Sequence, residues 1–248
     1  MRNVVGLTLR QVVYQNRAFW RNPPAAFFTF AFPLIFLVIF TTIFGREAAR
    51  FFTGGILTLS IVSATFTNLA MSVTFAREEG ILKRIRGTPL PPLAYLLGRM
   101  LHAVVIGLIL AVIVMAYGAL TQGVEVPWAG LPVLLLTLIV GSAALCALGL
   151  AVSALIPNSD AAPAVVNAAV LPLYFISNVF TPADQLPDWL DAVSKIFPIR
   201  HLADAVASVY SAAPAAPDMP WGSLAVVAVW GVGAALFALR FFRWEPRR

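Results

Sequence analysis

Long, uninterrupted runs of apolar residues dominate the chain, and they carry no polar stripe at helical spacing. A helix needs about 20 such residues to cross the roughly 30 Å hydrocarbon layer of a bilayer. Six runs meet this requirement, so the pattern predicts an all-α membrane protein with about six transmembrane helices. In chain order, the runs cover residues 25–44, 54–75, 101–120, 130–155, 161–181 and 221–242.

The fourth run is unusually rich in small residues, which let helix backbones approach one another closely. We therefore expect the fourth helix to lie in the interior of the bundle. The small residues are Gly141, Ser142, Ala143, Ala144, Ala147 and Gly149.

The composition fits the same class of protein. Of the 248 residues, 60% are hydrophobic and only 11% are charged, which is too few to cover the surface of a soluble domain. We expect one transmembrane domain over residues 1–248, with no soluble domain of its own.

Basic residues lie mainly on one side of the predicted spans. The positive-inside rule therefore predicts a multi-pass protein of the plasma membrane whose N-terminus, loop 77–99 and C-terminus are cytoplasmic. Topology and anionic lipid also explain the net charge of +6, so we expect no nucleic-acid partner. The cytoplasmic group comprises Arg2, Arg10, Arg17, Arg21, Arg77, Lys83, Arg84, Arg86, Arg99, Arg243, Arg247 and Arg248, against Arg46, Arg50, Lys195 and Arg200 outside.

The segment before the first span has a basic face and an apolar face when residues 3–21 are drawn as a helix. Arg10, Arg17 and Arg21 share the basic face. This predicts an amphipathic helix at the membrane interface within residues 1–24, ended by Asn22-Pro23-Pro24. The alternative is a merely basic flank.

The loop at residues 76–99 has helix signals of its own. Glu79 and Lys83 have the i, i+4 spacing of a favourable ion pair, and Gly87-Thr88-Pro89 is a helix stop. We predict a short charged helix over residues 77–86 outside the membrane, and a second one over residues 93–99 that leads into span three. The alternative is a positive flank without helical structure.

The outer segment, residues 182–220, is long for a connection. Pro187 with Asp188 is typical of a helix start, and Pro198 marks another. We predict one or two short amphipathic helices at the outer face.

Motifs for catalysis are missing from the sequence. There is no G-x-x-x-x-G-K-[ST] phosphate loop, and the predicted topology puts His102 and His201 on opposite sides of the membrane, so we expect no enzyme activity and no metal site. The spans also lack the mid-membrane charge that an ion-coupled carrier usually keeps. A partner must then supply the energy for any transport.

Two stretches resemble the ABC-2 type transporter permeases, in particular the daunorubicin-resistance branch. Residues 78–90 read EEGILKRIRGTPL, similar to the family pattern E-x-G-x-L-x-x-L-x-x-T-P-L, and Arg77 and Gly98-Arg99 match its edges. Residues 178–190 read NVFTPADQLPDWL and resemble the region after the fifth span. The chain departs from the pattern at Ser177-Asn178, where many members have Ser-Gly and the glycine eases a helix break.

The resemblance implies the membrane subunit of a bacterial exporter. Such a subunit pairs with a second permease copy or homologue and with two cytoplasmic ABC ATPases, which bind the ATP and Mg, so this chain would bind no cofactor. The predicted 77–86 helix would be the coupling helix that contacts the ATPase, with the loop at residues 157–160 as a second, weaker contact. The coupling residues would be Arg77, Glu78, Glu79, Gly80, Leu82, Lys83, Arg84 and Arg86.

Six residues on spans two and five are candidates to line a substrate path, although packing and helix–helix hydrogen bonds would explain them as well. An apolar path suits a hydrophobic drug, a lipid or a lipid-linked molecule. Alternatives to an exporter subunit are a membrane scaffold and, as a third reading, a self-contained carrier. The candidate path residues are Thr65, Asn68, Ser72, Tyr174, Phe175 and Phe180.

Overall fold

The computed structural model describes residues 4–245, with Glu47 described by its backbone alone. Arg2, Arg247, Arg248 and the first residue of the predicted interfacial helix lie outside this range. Between residues 4 and 245 the regular structure is entirely helical. The α-helices are α1 (Val4–Trp20), α2 (Pro23–Phe44), α3 (Ala49–Val62), α4 (Asn68–Glu78), α5 (Ile81–Arg86), α6 (Pro92–Gln122), α7 (Leu131–Leu155), α8 (Ala162–Ile176), α9 (Asp188–Ser194), α10 (Pro198–Ala212) and α11 (Trp221–Phe241).

Five helices of the described chain are long and apolar enough to cross a membrane. They are α2, the continuous helix Ala49–Glu78, α6, α7 and α11, and they match runs one to four and six. The helix Ala49–Glu78 joins α3 to α4 through a π-helical turn at Ser63–Thr67. Such turns inside long helices often mark functional sites.

The fifth run forms a shorter helix than predicted. Helix α8 ends at Ile176 rather than at residue 181, because Asn178 adopts a left-handed backbone conformation with φ 59°. Asparagine tolerates this conformation better than most residues do, so it supports the helix break without a glycine at this position. The Asn178 amide nitrogen donates to Asp204 Oδ1 over 2.9 Å, and its oxygen accepts from the Ala183 backbone over 3.2 Å.

Helix α7 lies in the interior, as its small residues predict. A Cβ on Gly149 would come within 2.8 Å of the Phe66 carbonyl oxygen, and one on Gly231 of α11 would come equally close to Ala144. These glycines let α7 pack backbone to backbone against both the π-helical turn and α11.

The outer segment forms the predicted short helices. Helix α9 begins at Asp188 after Pro187, and α10 has Pro198 in its first turn. One face of α10, including Leu202, Val206 and Val209, is buried. Helix α10 packs against α3, α7 and α11, so it is part of the bundle rather than a surface addition.

A buried arginine ties the outer helices together. Arg200, which is 5% exposed, donates to Asp191 Oδ1, Asp204 Oδ2 and Ser194 Oγ over 2.7, 2.7 and 2.8 Å. A hydrogen bond from Lys195 is the main cause that holds the pKa of the Asp191 carboxyl below its ordinary value, and a hydrogen bond from Arg200 adds to it. This network fixes α9 against α10.

Replacing Arg200 with methionine should destabilise the fold by about 2 kcal/mol, because it leaves Asp191 and Asp204 without their shared cation. Thermal unfolding in detergent measures the effect. Lys195→Met removes a cation from the same carboxylate, but Lys195 is 57% exposed, so its loss should cost at most about 1 kcal/mol. Equal losses in the two variants would contradict the role given to Arg200.

Candidate functional site

The loop between α4 and α6 contains a shorter helix than the one predicted over residues 77–86. Helix α4 continues to Glu78, so Arg77 and Glu78 belong to the end of the second span. Gly80 has φ +71°, and its amide donates to the Arg77 carbonyl over 3.0 Å. This left-handed glycine ends α4, and α5 starts afresh at Ile81. The single helix over residues 77–86 was therefore a wrong prediction.

Two other details of the loop differ in part from the prediction. The stop at Gly87-Thr88-Pro89 is confirmed, since α5 ends at Arg86 and the Thr88 hydroxyl donates to the Ile85 carbonyl over 2.7 Å. The prediction of a separate helix over residues 93–99 is wrong, because α6 runs without interruption from Pro92 to Gln122.

The Glu79–Lys83 pair is not among the ion pairs of residues 4–245. Because Glu79 precedes the start of α5, the two residues do not share a helix face. Instead, Arg84 donates to the Glu79 carbonyl oxygen over 3.3 Å.

Arg77 is buried, not displayed to a partner. The residue is 1% exposed, and its Nη1 and Nη2 donate to the carbonyls of Ser153 and Ile156 over 2.8 and 2.7 Å. These carbonyls belong to the C-terminal end of α7, where the last carbonyls of a helix lack intrahelical partners. Nε lies 3.3 Å from Glu78 Oε1. Arg77 thus caps α7 and fastens it to the end of α4.

Only an indirect signal for this contact is present in the sequence. The last turn of α7 contains no basic residue that could satisfy its own carbonyls. The carbonyls at this helix end must then find donors elsewhere, but nothing in the sequence identifies Arg77 as the donor.

Leu82 anchors α5 to the bundle. It is fully buried in an apolar cluster with Leu69 and Val73 of α4, Tyr95 of α6 and Leu150 of α7. The remaining predicted coupling residues divide into an exposed group, Glu79, Lys83, Arg84 and Arg86, and the half-buried pair Glu78 and Gly80. The helix therefore presents a small cationic face to solvent while its other face is fixed.

The loop between α7 and α8 lies beside this site. Arg77 binds Ile156, the first residue after α7, and Asn158 Oδ1 accepts from the Ala161 backbone over 2.8 Å. Arg77, in the first of the two loops predicted to contact a partner, thus binds the residue that directly precedes the second, residues 157–160.

Helix α1 has the amphipathic character predicted for it. Arg10, Arg17 and Arg21 are exposed, as are Val5 and Leu9 of its apolar face. A Cβ on Gly98 would come within 2.6 Å of the Gln11 side chain, so α1 lies tightly on the start of α6. A helix held this way can keep its apolar residues in the acyl-chain region.

The profile of the ABC-2 type transporter family matches residues 8–211, from α1 to the end of α10. The chain belongs to the ABC-2 type transporter family. This match includes the whole loop around α5, the break at Asn178 and the outer helices.

Three relatives agree with this membership. A probable multidrug ABC transporter permease, YbhR of Escherichia coli K12, is 28% identical over 173 residues, which are 68% of this chain and 46% of YbhR. The chain thus spans about half the length of YbhR. The daunorubicin resistance ABC transporter permease protein DrrB1 of Streptomyces coeruleorubidus is 25% identical over 211 residues, 81% of this chain and 74% of its own. A putative transport permease, ycf38 of Cyanophora paradoxa, is 25% identical over 225 residues, covering 85% and 71% of the two chains.

The candidate path residues of this ABC-2 chain fall into separate places. Asn68 and Ser72 border a cavity beside α1 and α6. Thr65 is buried, and its hydroxyl donates to the Ile61 carbonyl over 2.6 Å. The structure therefore does not bring the three residues of span two to one lining surface.

The residues of span five pack near the other end of the bundle. The Tyr174 hydroxyl lies 3.3 Å from Ser63 Oγ in the π-helical turn. Phe180 packs on Tyr174, on the exposed Phe175 and on Phe36 and Phe40 of α2. The aromatic residues thus form a packed cluster between α2 and the broken end of α8.

Arg77→Met should lower the free energy of unfolding by about 3 kcal/mol, because the Ser153 and Ile156 carbonyls lose their charged donor inside the protein. Thermal unfolding in detergent detects this loss. Arg84→Met is the matched control: Arg84 is exposed and makes one 3.3 Å hydrogen bond, so the change should stay within about 0.5 kcal/mol. Equal stability of the two variants would contradict the assignment of Arg77 as the residue that caps α7.

Proposed function

We propose that this chain is the transmembrane permease subunit of an ATP-driven ABC exporter, and that α5 is its contact with a separate ATPase. The observation that carries the proposal is the construction of α5: a cationic face is exposed on a helix whose other side is anchored by Leu82. Membership of the ABC-2 family supports it.

The proposed coupling runs through the contacts around Arg77. A push on α5 would move α4 across the short Glu79-Gly80 turn, and Arg77 would carry the displacement to the end of α7. Motion of the ATPase must favour one packing of the helices over another, because otherwise ATP cannot drive transport. The contacts that join α5 to α4 and to the end of α7 support a coupling of this kind.

The proposed assembly contains two permeases, this chain with a second copy or a homologue, and two ATPase subunits that bind ATP and Mg. The membrane would be a bacterial plasma membrane. The side that carries α1, α5 and the end of α11 is placed in the cytoplasm on the distribution of arginine and lysine.

We infer a hydrophobic substrate: a drug, a lipid or a lipid-linked molecule. YbhR is named a probable multidrug permease, and DrrB1 is named for daunorubicin resistance. The spanning helices of this chain are likewise apolar, and between residues 4 and 245 they offer no buried carboxylate for an ion gradient.

Reversing two charges on α5 should uncouple the ATPase. We expect the double variant Lys83→Glu, Arg86→Glu to bind its ATPase at least about tenfold more weakly, because the reversed charges repel the surface that the cationic face would meet. The measurement is ATP hydrolysis by the co-purified ATPase, titrated with the permease in nanodiscs across a panel of lipids and drugs.

The matched control is Arg10→Glu, Arg17→Glu, which reverses two exposed charges on α1 and should leave the stimulation intact. Normal stimulation by the α5 variant would refute the coupling assignment. Transport by the chain without any ATPase would instead favour a self-contained carrier. A complex that forms but never responds to lipid or drug would favour a scaffold.

A further inference from the structure

A polar cavity of about 280 Å³ lies where α1, α4 and the start of α6 meet. Its polar wall consists of Gln15, Asn22, Asn68, Ser72, Arg99 and His102. The coupling proposal uses none of these residues. Two of these residues, Asn22 and Asn68, are exposed and the others are half-buried. Such a cluster of polar side chains on an otherwise apolar bundle needs an explanation, since one of its atoms, His102 Nε2, is buried and buried polar atoms are normally paired.

The close approach of α1 to α6 creates the cavity. Gly98 leaves room for the Gln11 side chain, which a Cβ would contact at 2.6 Å. Further along the two helices, Phe19 of α1 packs edge-on against His102, with 5.8 Å between the ring centroids. The absence of a side chain at Gly98 therefore allows α1 to pack close to α6, which brings the polar side chains of α1 near Arg99.

Arg99 contributes a half-buried guanidinium to the wall of this cavity. Its Nη1 donates to the Ser72 carbonyl over 3.3 Å, and its guanidinium lies 5.3 Å from the centre of the Tyr95 ring. None of the ion pairs formed by residues 4–245 includes Arg99. A guanidinium has five N–H donors, and within residues 4–245 only the hydrogen bond to the Ser72 carbonyl uses them.

His102 adds a second unsatisfied group to the same wall. Its Nε2 is buried and has no hydrogen-bond partner among the residues that the structure describes. Asn68 contributes an exposed amide at the rim. The wall thus combines one unpaired cation with several hydrogen-bond donors, the combination that binds phosphate.

An apolar groove of about 440 Å³ adjoins the polar cavity at the junction of α1 and α2. Trp20 and Phe30 line the groove, and Phe30 contacts Phe19 of the polar cavity at 6.1 Å between the centroids. Helix α1 carries both exposed basic residues and exposed apolar residues. A polar site beside an apolar groove suits an amphiphile, whose headgroup and acyl chain need different surroundings.

We infer that this cavity binds the phosphate of an anionic phospholipid headgroup, with Arg99 as the counter-ion and the groove at Trp20 and Phe30 as the site of an acyl chain. The lipid ties α1 to α4 and α6. The site does not depend on transport, and binding can be measured without an ATPase.

The test is native mass spectrometry of the full chain in detergent, titrated with phosphatidylglycerol or phosphatidylcholine of the same acyl chains. Phosphatidylglycerol should bind at least about tenfold more tightly than phosphatidylcholine. Arg99→Gln should remove this preference, a loss of about tenfold. Arg17→Gln, which removes an exposed arginine of α1, should keep it.

Two further arms keep the test decisive. Asn68→Leu changes an exposed wall residue, so it should leave the fold intact and still weaken phosphatidylglycerol binding by about threefold; it decides the matter if Arg99→Gln fails to fold. Inorganic phosphate at millimolar concentration should not displace the lipid. Equal losses in Arg99→Gln and Arg17→Gln, no loss in Asn68→Leu, or displacement by inorganic phosphate would each overturn the proposal.

Discussion

The guanidinium of Arg77 connects the parts of this bundle that a partner would have to move together. It satisfies the terminal carbonyls of α7 at Ser153 and Ile156 from the last turn of α4, and the left-handed turn at Gly80 then leads directly into α5. A lysine could not replace it equally, because an ammonium lacks the planar fork that reaches two carbonyls at once. The contact therefore makes the ends of two spans and the exposed helix α5 one mechanical unit.

Close backbone packing completes this unit within the membrane. Gly149 of α7 lies against the carbonyl of Phe66, inside the π-helical turn that joins α3 to α4. Near the start of α3, Gly55 leaves room for the Val179 carbonyl just after the break at Asn178. The helix Ala49–Glu78 thus makes close contacts near both of its ends and at its centre, which suits an element that transmits displacement through the bundle.

Much of the fold was predictable because it follows from local rules. Hydrophobic length located the spans, small residues placed α7 inside, and Pro187 and Pro198 marked the outer helices. Two errors arose where a single backbone conformation decided the outcome: Gly80 divided the helix predicted over residues 77–86, and Asn178 shortened α8. The third, the separate helix over residues 93–99, arose because α6 continues without a break from Pro92 into span three. Two features could not be predicted from the sequence: the burial of Arg77, and the absence of an ion pair at Arg99 within residues 4–245. Both depend on which distant helices pack against these side chains. The positive-inside argument uses both arginines only as charges that indicate the orientation of the chain.

The most direct test of this account is a pair of spin-label distances in the complex with the ATPase, with Cys146 replaced by alanine. Labels at Lys83 and Asp160, both exposed, report on α5 relative to the end of α7, and labels at Lys83 in the two permeases report on their separation. When a non-hydrolysable ATP analogue binds, we predict that the first distance stays constant while the second changes. A change in the first distance without any change in the second would show that α5 moves independently of the bundle, and would contradict the account.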